Sequence, residues 1–457
     1  MEVWKRGFHT HLYFVPSLVF PHLLEKVRGK VTPSVERALL GSAERMPMGS
    51  SPSVVLAAVA IAAVVSCEPT CEGVAPTSLS GTYFAHERAL LALQTAQPPP
   101  SDLRVAVRGR PGLTYSHRDE LPEFISGPTS PSFPLLVEAG ALGGVSNATS
   151  APSVATYATA AKALLEEHLL TYGAVRFRGL PLADGIDFSE FVSALEWHAV
   201  KLGGGGTQRE DVTANVRTAS EEPPTQTIEP HMDMAHSVAH PDRIAFFCAA
   251  GPPPGAGGET VLTNMRAVHA DMVAQGVAAE FERRGGVAYI KRLWDATRVQ
   301  NNSYTWQKFF FTDDLERALA EVRKRDGDAR AGEHGDGVID FREVLPAVVP
   351  HPKTGEPAWF NGIHTNHASY YVEAAHVDTS DGPPMHTAFA DGTPIPEATV
   401  AAIRASYWRN SAAIRCETGD LIVVDNMLAS HGRMSWTPGE PRKMLLTHFH
   451  DAPAATA

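Results

Sequence analysis

Cysteine is scarce in this chain: 457 residues contain four, Cys67, Cys71, Cys248 and Cys416. A disulfide framework needs a much higher density, and a cysteine zinc site needs paired CxxC motifs that are absent, so neither is expected. Positive charge is also in short supply. Against 39 lysines and arginines stand 51 aspartates and glutamates, a formal charge of −12, and no Lys/Arg block is dense enough to reverse that repulsion locally. Nucleic acid is therefore not an expected partner. Long apolar runs are missing as well. The most apolar stretch, Val54 to Cys67, falls short of the ~20 residues that span a bilayer, so no stable membrane span is expected. What the chain does have is apolar material, 44% against 20% charged residues, which excludes wholesale disorder and supplies one large core or two modest ones.

Residues 1–75 read differently from the rest. Val54–Cys67 suits a signal-peptide core, yet it follows a basic segment with Lys5, Arg6, Lys26, Arg28 and Lys30, where a secretory leader would already have ended. A bipartite leader, a start at Met46 or Met48, and an Ala/Val-rich tail all fit, so the compartment stays open between cytoplasmic, organellar and secretory. Residues 76–132 turn rich in Pro and Ser, an irregular extension, and the folded domain is expected over 133–452. Within it, Val154–Tyr172 has helical periodicity closed by Gly173, and Ala174–Arg178 alternates as a strand. Asp187 and Glu190 suggest a capping box for the next helix. Gly203–Gly206 lacks the Gly-Lys-Ser/Thr ending of a phosphate loop. Strands are expected at Ile244–Ala249, Ala358–Asn361, Leu421–Asp425 and Met444–Phe449, and a helix at Asp313–Arg325. Short strands far apart in sequence, with helices gathered towards the N-terminal side, predict an α+β fold with a jelly-roll (double-stranded β-helix) core.

A mononuclear iron that must also take a chelating cosubstrate and O2 leaves three positions to the protein, best filled by two imidazoles and one carboxylate. Two ligands from one strand would sit at i and i+2, which share a face. That spacing recurs along the chain, among other places at His117/Asp119, His231/Asp233, His269/Asp271, His334/Asp336 and His376/Asp378. His269 lies in a helical pattern, where i and i+2 diverge. His334 and His376 lie in polar loops, and His117 precedes the expected domain. Of these, His231/Asp233 is the pair followed by a buried-looking strand, IAFFCA, and then GGET. The remote ligand is expected at His431, after the apolar run Leu421–Val424. Arg442, opening RKMLLTHF, offers the bidentate partner that a distal carboxylate needs, and Thr260 of GGET can donate a hydroxyl to it.

HMDMAHSVAHPDRIAFFCAAGPPPGAGGETVLTNMRAV and the distant DNMLASHGRMSWTPGEPRKMLL together resemble the taurine dioxygenase superfamily, most of all its clavaminate-synthase-like proteins. GAVRFRGL, ASEEPP, WQKFFFTDD, WFNG and ADGTPIP echo the family in the same order, over roughly residues 133–450. The resemblance implies an Fe(II)/2-oxoglutarate-dependent dioxygenase that hydroxylates or desaturates a small molecule, releasing succinate and CO2. It implies iron at His231, Asp233 and His431 and 2-oxoglutarate at Arg442 and Thr260. Members often carry Glu where this chain has Asp233, a change that keeps the carboxylate. Halogenating relatives have a small residue there, so Asp233 points away from halogenation. Trp306, Trp359, Asn361 and Arg433, in the family-like segments, are candidate substrate contacts, with core packing the alternative for the two tryptophans and a local salt bridge for Arg433.

Two other readings compete. His231, Asp233 and His236 spell an H-x-D-x-x-H pattern suited to a metal-dependent hydrolase, but that leaves Arg442 and GGET without a role. A non-catalytic jelly-roll binding protein would keep the fold and lose turnover. DGVIDFREVL resembles the end of a calcium loop, but Gly332 and His334 stand where its first oxygen ligands belong.

Overall fold

The computed structural model describes residues 103–110, 112–113, 118–127, 133–142, 152–202, 209–220, 222–298, 304–324, 330–331, 337–371 and 382–451. The leader, the glycine run at Gly203–Gly206, His117, His334 and His376 lie outside them.

Two strands, β1 (Arg104–Ala106) and β2 (Phe124–Ser126), pair antiparallel ahead of the expected domain start. Val105, Val107, Leu113, Leu121 and Ile125 pack there against Val261, Trp408, Ala413 and Met434. Ordered packing thus begins before Phe133. The extension was read as irregular because its apolar residues are spaced without a period.

Next come β3 (Leu135–Glu138), helix α1 (Val154–Tyr172), β4 (Ala174–Arg178) and helix α2 (Gly185–Ala194). Ser153 caps α1 by accepting from the Thr156 amide, and Gly173 ends it in the left-handed region at φ 74°. The α2 cap is not the expected Asp187–Glu190 pair. Asp184 accepts from the Ile186 and Asp187 amides, and Asp187 reaches back to the Ala183 amide.

Strands β5 (His198–Val200), β6 (Arg217–Thr218), β7 (Ile228–His231), β8 (Arg243–Ala250) and β9 (Thr260–Asn264) follow. Helices α3 (Met265–Ala274) and α4 (Val277–Arg283) lead to β10 (Val287–Leu293), then α5 (Trp306–Phe310) and α6 (Leu315–Lys324). The chain continues through β11 (Arg330–Ala331), β12 (Ile339–Leu345), β13 (Val348–Pro350), β14 (Pro357–Trp359), α7 (Ile363–Asn366), β15 (Met385–Phe389) and α8 (Glu397–Arg409). It closes with β16 (Ser411–Ile414), β17 (Leu421–Asp425), β18 (Ala429–Arg433) and β19 (Lys443–His450). The four expected strands and the helix at Asp313–Arg325 are all there, displaced by no more than about two residues, the usual uncertainty of an element end.

The fold is mixed α/β with several sheets. The largest has the order β3-β4-β17-β8-β19-β5, with β6 also on β19, and is antiparallel except at β3–β4. A second sheet has the order β16-β9-β18-β7 and a third β11-β12-β10-β15, both antiparallel. The large sheet is buried on both faces, which is why its strands read as continuous apolar runs. Val175, Phe177, Ala245, Phe247, Leu421, Val423 and Leu445 face α1 and α2. Their alternates Ile244, Phe246, Cys248, Ile422, Val424, Met444 and Leu446 share a core with Leu262, Ile414 and Ala429 of the second sheet. Each fully buried side chain of this size stabilises the sandwich by ~1.5–3 kcal/mol. The sequence places His431 at the end of the Leu421–Val424 run; the structure instead puts it one turn later on β18, in the opposite sheet. Among the described residues no helix is long and apolar enough to cross a membrane.

Candidate metal centre

The centre is built where β7 meets β18. β7 is an edge strand, which is where Pro230, lacking an amide hydrogen, can be accommodated. His431 pairs directly with His231, and the register slips between His431 and Arg433, which pairs with Ile228. Gly432 fills that slip: a Cβ there would stand 2.7 Å from the Ile228 carbonyl and 3.0 Å from the Pro230 nitrogen. Only a residue without a side chain lets the two histidine-bearing strands come this close.

Asp233 reaches the histidines differently from the strand alternation expected of it. β7 stops at His231, and Asp233 sits in the turn beyond, next to Met234 at φ 60°. The fully buried Asn426, in the turn between β17 and β18, holds that turn. Its Oδ1 accepts from the Asp233 amide at 3.0 Å, and its Nδ2 donates to the Asp233 and Pro241 carbonyls, both at 2.9 Å. Lys291, paired with Glu343, donates to the His236 carbonyl and braces the same segment from the third sheet.

His231, Asp233 and His431 each present one ligand atom, all within 4.8 Å of one another. Asp233 Oδ1 is 3.3 Å from His231 Nε2 and 3.6 Å from His431 Nε2. His231 Nδ1 lies 2.9 Å from the Glu229 carbonyl, which can only accept, so Nδ1 donates there and Nε2 is the nitrogen turned to Asp233. Asp233 Oδ2 is engaged elsewhere, by Arg209 at 3.0 Å and His448 Nε2 at 2.7 Å. Burial alone would raise the Asp233 pKa, but the Arg209 charge and the hydrogen bonds from His231, His431 and His448 outweigh it and hold the carboxyl well below its usual range. Burial, and next the charge of His231, push His431 down to about 4, so the His431 ring is available as a neutral ligand. Two imidazoles and one anionic carboxylate make a donor set that fits a divalent iron.

A cavity opens beside the triad, lined among others by His231, His431, Phe246, Thr260, Arg433 and Arg442. Arg442 Nε donates to the Gly258 carbonyl at 2.7 Å, which fixes the guanidinium plane. A Cβ on Gly258 would meet Arg442 Cδ at 2.8 Å, and Gly258 has φ +76°, so the second glycine of GGET makes room for this arginine. Among the described residues the two terminal nitrogens of Arg442 make no hydrogen bond, whereas Thr260 Oγ1 accepts from the Cys416 thiol at 3.4 Å.

The other candidates fall elsewhere. Trp306 packs with Leu293, Phe309 and Phe341, and Trp359 with Phe281 and Phe389, both in apolar cores. Asn361 donates to the Ala347 carbonyl and accepts from the Ile363 amide, a turn-closing role. None of the three lines the cavity. Arg433 does line it, but its donors go to the carbonyls of Glu222, Pro223 and Gln226, so it braces that segment rather than forming the alternative salt bridge. His236 lies outside the ligand cluster, its ring 6.2 Å from Tyr289, and the H-x-D-x-x-H hydrolase pattern does not assemble. Asn426, Arg209, Arg217 and His448 were missed from the sequence. His448 had a signal: it shares the inward register of Met444 and Leu446, where an apolar residue is expected.

The model of the taurine catabolism dioxygenase TauD, TfdA family matches residues 145–448. The chain belongs to that family. This dioxygenase is 28% identical over 289 residues to a clavaminate synthase-like protein of Arabidopsis thaliana, covering 62% of this chain and 83% of the relative. It is 27% identical over 275 residues to the dapdiamide synthesis protein DdaC of Enterobacter agglomerans, covering 59% and 80%. A solved structure of a putative alpha-ketoglutarate-dependent taurine dioxygenase from Burkholderia xenovorans is 16% identical, covers 64% of this chain and 83% of that one, and has a TM-score of 0.38, too distant to argue from. The dioxygenase depends on Fe(II) and 2-oxoglutarate.

Proposed function

We propose that His231, Asp233 and His431 hold the iron of this dioxygenase. Arg442 and Thr260 bind the distal carboxylate of 2-oxoglutarate, and the reaction hydroxylates or desaturates a small molecule. The observation that carries this reading is the convergence of three potential ligand atoms within 4.8 Å, with His231 and His431 lining a cavity that Arg442 also lines. The shared core of the large and second sheets is read as the double-stranded β-helix that frames such a site.

When bound, the iron supplies O2 activation coupled to decarboxylation of 2-oxoglutarate, giving succinate and CO2. The chain's own groups position and shield. Asp233 contributes a fixed negative charge, kept ionised by Arg209 and three imidazoles. Arg442, its plane set by Gly258, turns a charge-assisted fork towards the cosubstrate. Phe246, with its ring centroid 4.8 Å from that of His431, keeps water off one side of the ligand. The carboxylate at position 233 supports oxygenation over halogenation. Succinate release that requires both Fe(II) and 2-oxoglutarate, and disappears in Asp233→Ala, tests the reading.

A further inference from the structure

We propose that His448 is a positioning residue that confines Asp233 to ligation through a single oxygen, with Arg217 setting the tautomer that lets it do so. This rests on the iron reading above and deepens it.

His448 is 4% exposed and sits on β19, which is flanked by β8 on one side and by β5 and β6 on the other. Its Nδ1 lies 3.2 Å from an Arg217 terminal nitrogen and its Nε2 lies 2.7 Å from Asp233 Oδ2. A guanidinium only donates, so Nδ1 accepts and the ring proton is on Nε2, aimed at the carboxylate. Arg209 donates to the same oxygen from another direction at 3.0 Å. Asp233 therefore has one oxygen filled by two donors and the other, Oδ1, turned to His231 and His431. A carboxylate free at both oxygens can swing into two-oxygen ligation and take a position that the cosubstrate or O2 needs. The donors on Oδ2 block that swing. A polar ring in an inward register shared with Met444 and Leu446 carries a burial cost that pure packing does not require.

The test titrates Mn(II), as the probe, into the full chain and follows free Mn(II) by electron paramagnetic resonance. His448→Gln keeps an N–H at similar reach, whereas His448→Leu removes it. The expected result is Mn(II) affinity within roughly threefold of wild type for Gln and a loss of about 10- to 100-fold for Leu, the range typical of groups that orient metal ligands. Nitrogen-15 NMR of the metal-free wild type should show His448 protonated at Nε2, with Arg217→Leu shifting the ring towards a mixture of tautomers. Wild-type affinity in a folded His448→Leu, or an Nδ1-protonated ring in wild type, would overturn the inference. If His448→Leu does not fold, the tautomer measurement decides. A wild-type chain that binds no Mn(II) and no Fe(II) would instead overturn the iron reading, so the two failures are distinguishable.

Discussion

His231 and His431 are directly opposed on the antiparallel β7–β18 pair, with imidazole centroids 4.6 Å apart. A cross-strand pair sets two side chains directly against each other, and here it fixes two of the three proposed ligands before any metal arrives. The spacing depends on Gly432, so Gly432→Ala should push the strands apart at the Ile228 carbonyl. The expected outcome is a loss of stability of about 1–3 kcal/mol from overpacking together with weaker Fe(II) binding. Chemical denaturation and anaerobic calorimetry on the same variant check both.

Arg442 is expected to act on the cosubstrate and not on the metal. Arg442→Leu should raise the KM for 2-oxoglutarate by ~10- to 100-fold, the worth of one charge-assisted hydrogen bond of about 1.5–3 kcal/mol. Fe(II) affinity without cosubstrate should hardly change. Arg442→Lys should restore part of the loss, because a point charge replaces the fork.

The metal-free protein should lose stability in mild acid. His364 is fully buried, donates from Nε2 to the Pro230 carbonyl at 3.0 Å, and is pushed down to about 3 by burial and next by the Arg404 charge. The unfolded chain takes up a proton on this ring below about 6.5 while the folded chain does not. The contribution is therefore intact above pH 6.5 and drains away as pH falls towards 3, at up to ~1.4 kcal/mol per pH unit. Urea denaturation in the presence of a chelator at pH 7.5, 6 and 5 should show the decline. His364→Gln, which retains a donor, should make it shallower.

The scaffold was legible where physics leaves a one-dimensional trace. Strands buried on both faces, such as Leu421–Asp425, read as apolar runs, and α1 showed its period, its serine cap and its glycine stop. His231, Asp233 and His431 were legible through their neighbours, since spacing alone left several candidates. The surrounding polar set was not. Arg209, Asn426 and His448 meet Asp233, and Arg217 meets His448, from four segments, and nothing local marks a hydrogen bond formed across the fold. Trp306 and Trp359 stayed open between substrate contact and core packing for a related reason: a family-like segment does not reveal whether a large aromatic faces the cavity or the core, and both pack in the core. The β1–β2 hairpin was hidden by a Pro/Ser-rich composition that normally signals a linker.

The central claim is that two imidazoles and one carboxylate bind iron beside an arginine that grips 2-oxoglutarate. Adding Fe(II) anaerobically and then 2-oxoglutarate, while recording the visible spectrum, tests it most directly. The account predicts a weak charge-transfer band that needs both additions and is absent in Asp233→Ala. An identical band in that variant, or no band in the wild-type protein under saturating Fe(II) and 2-oxoglutarate, would contradict it.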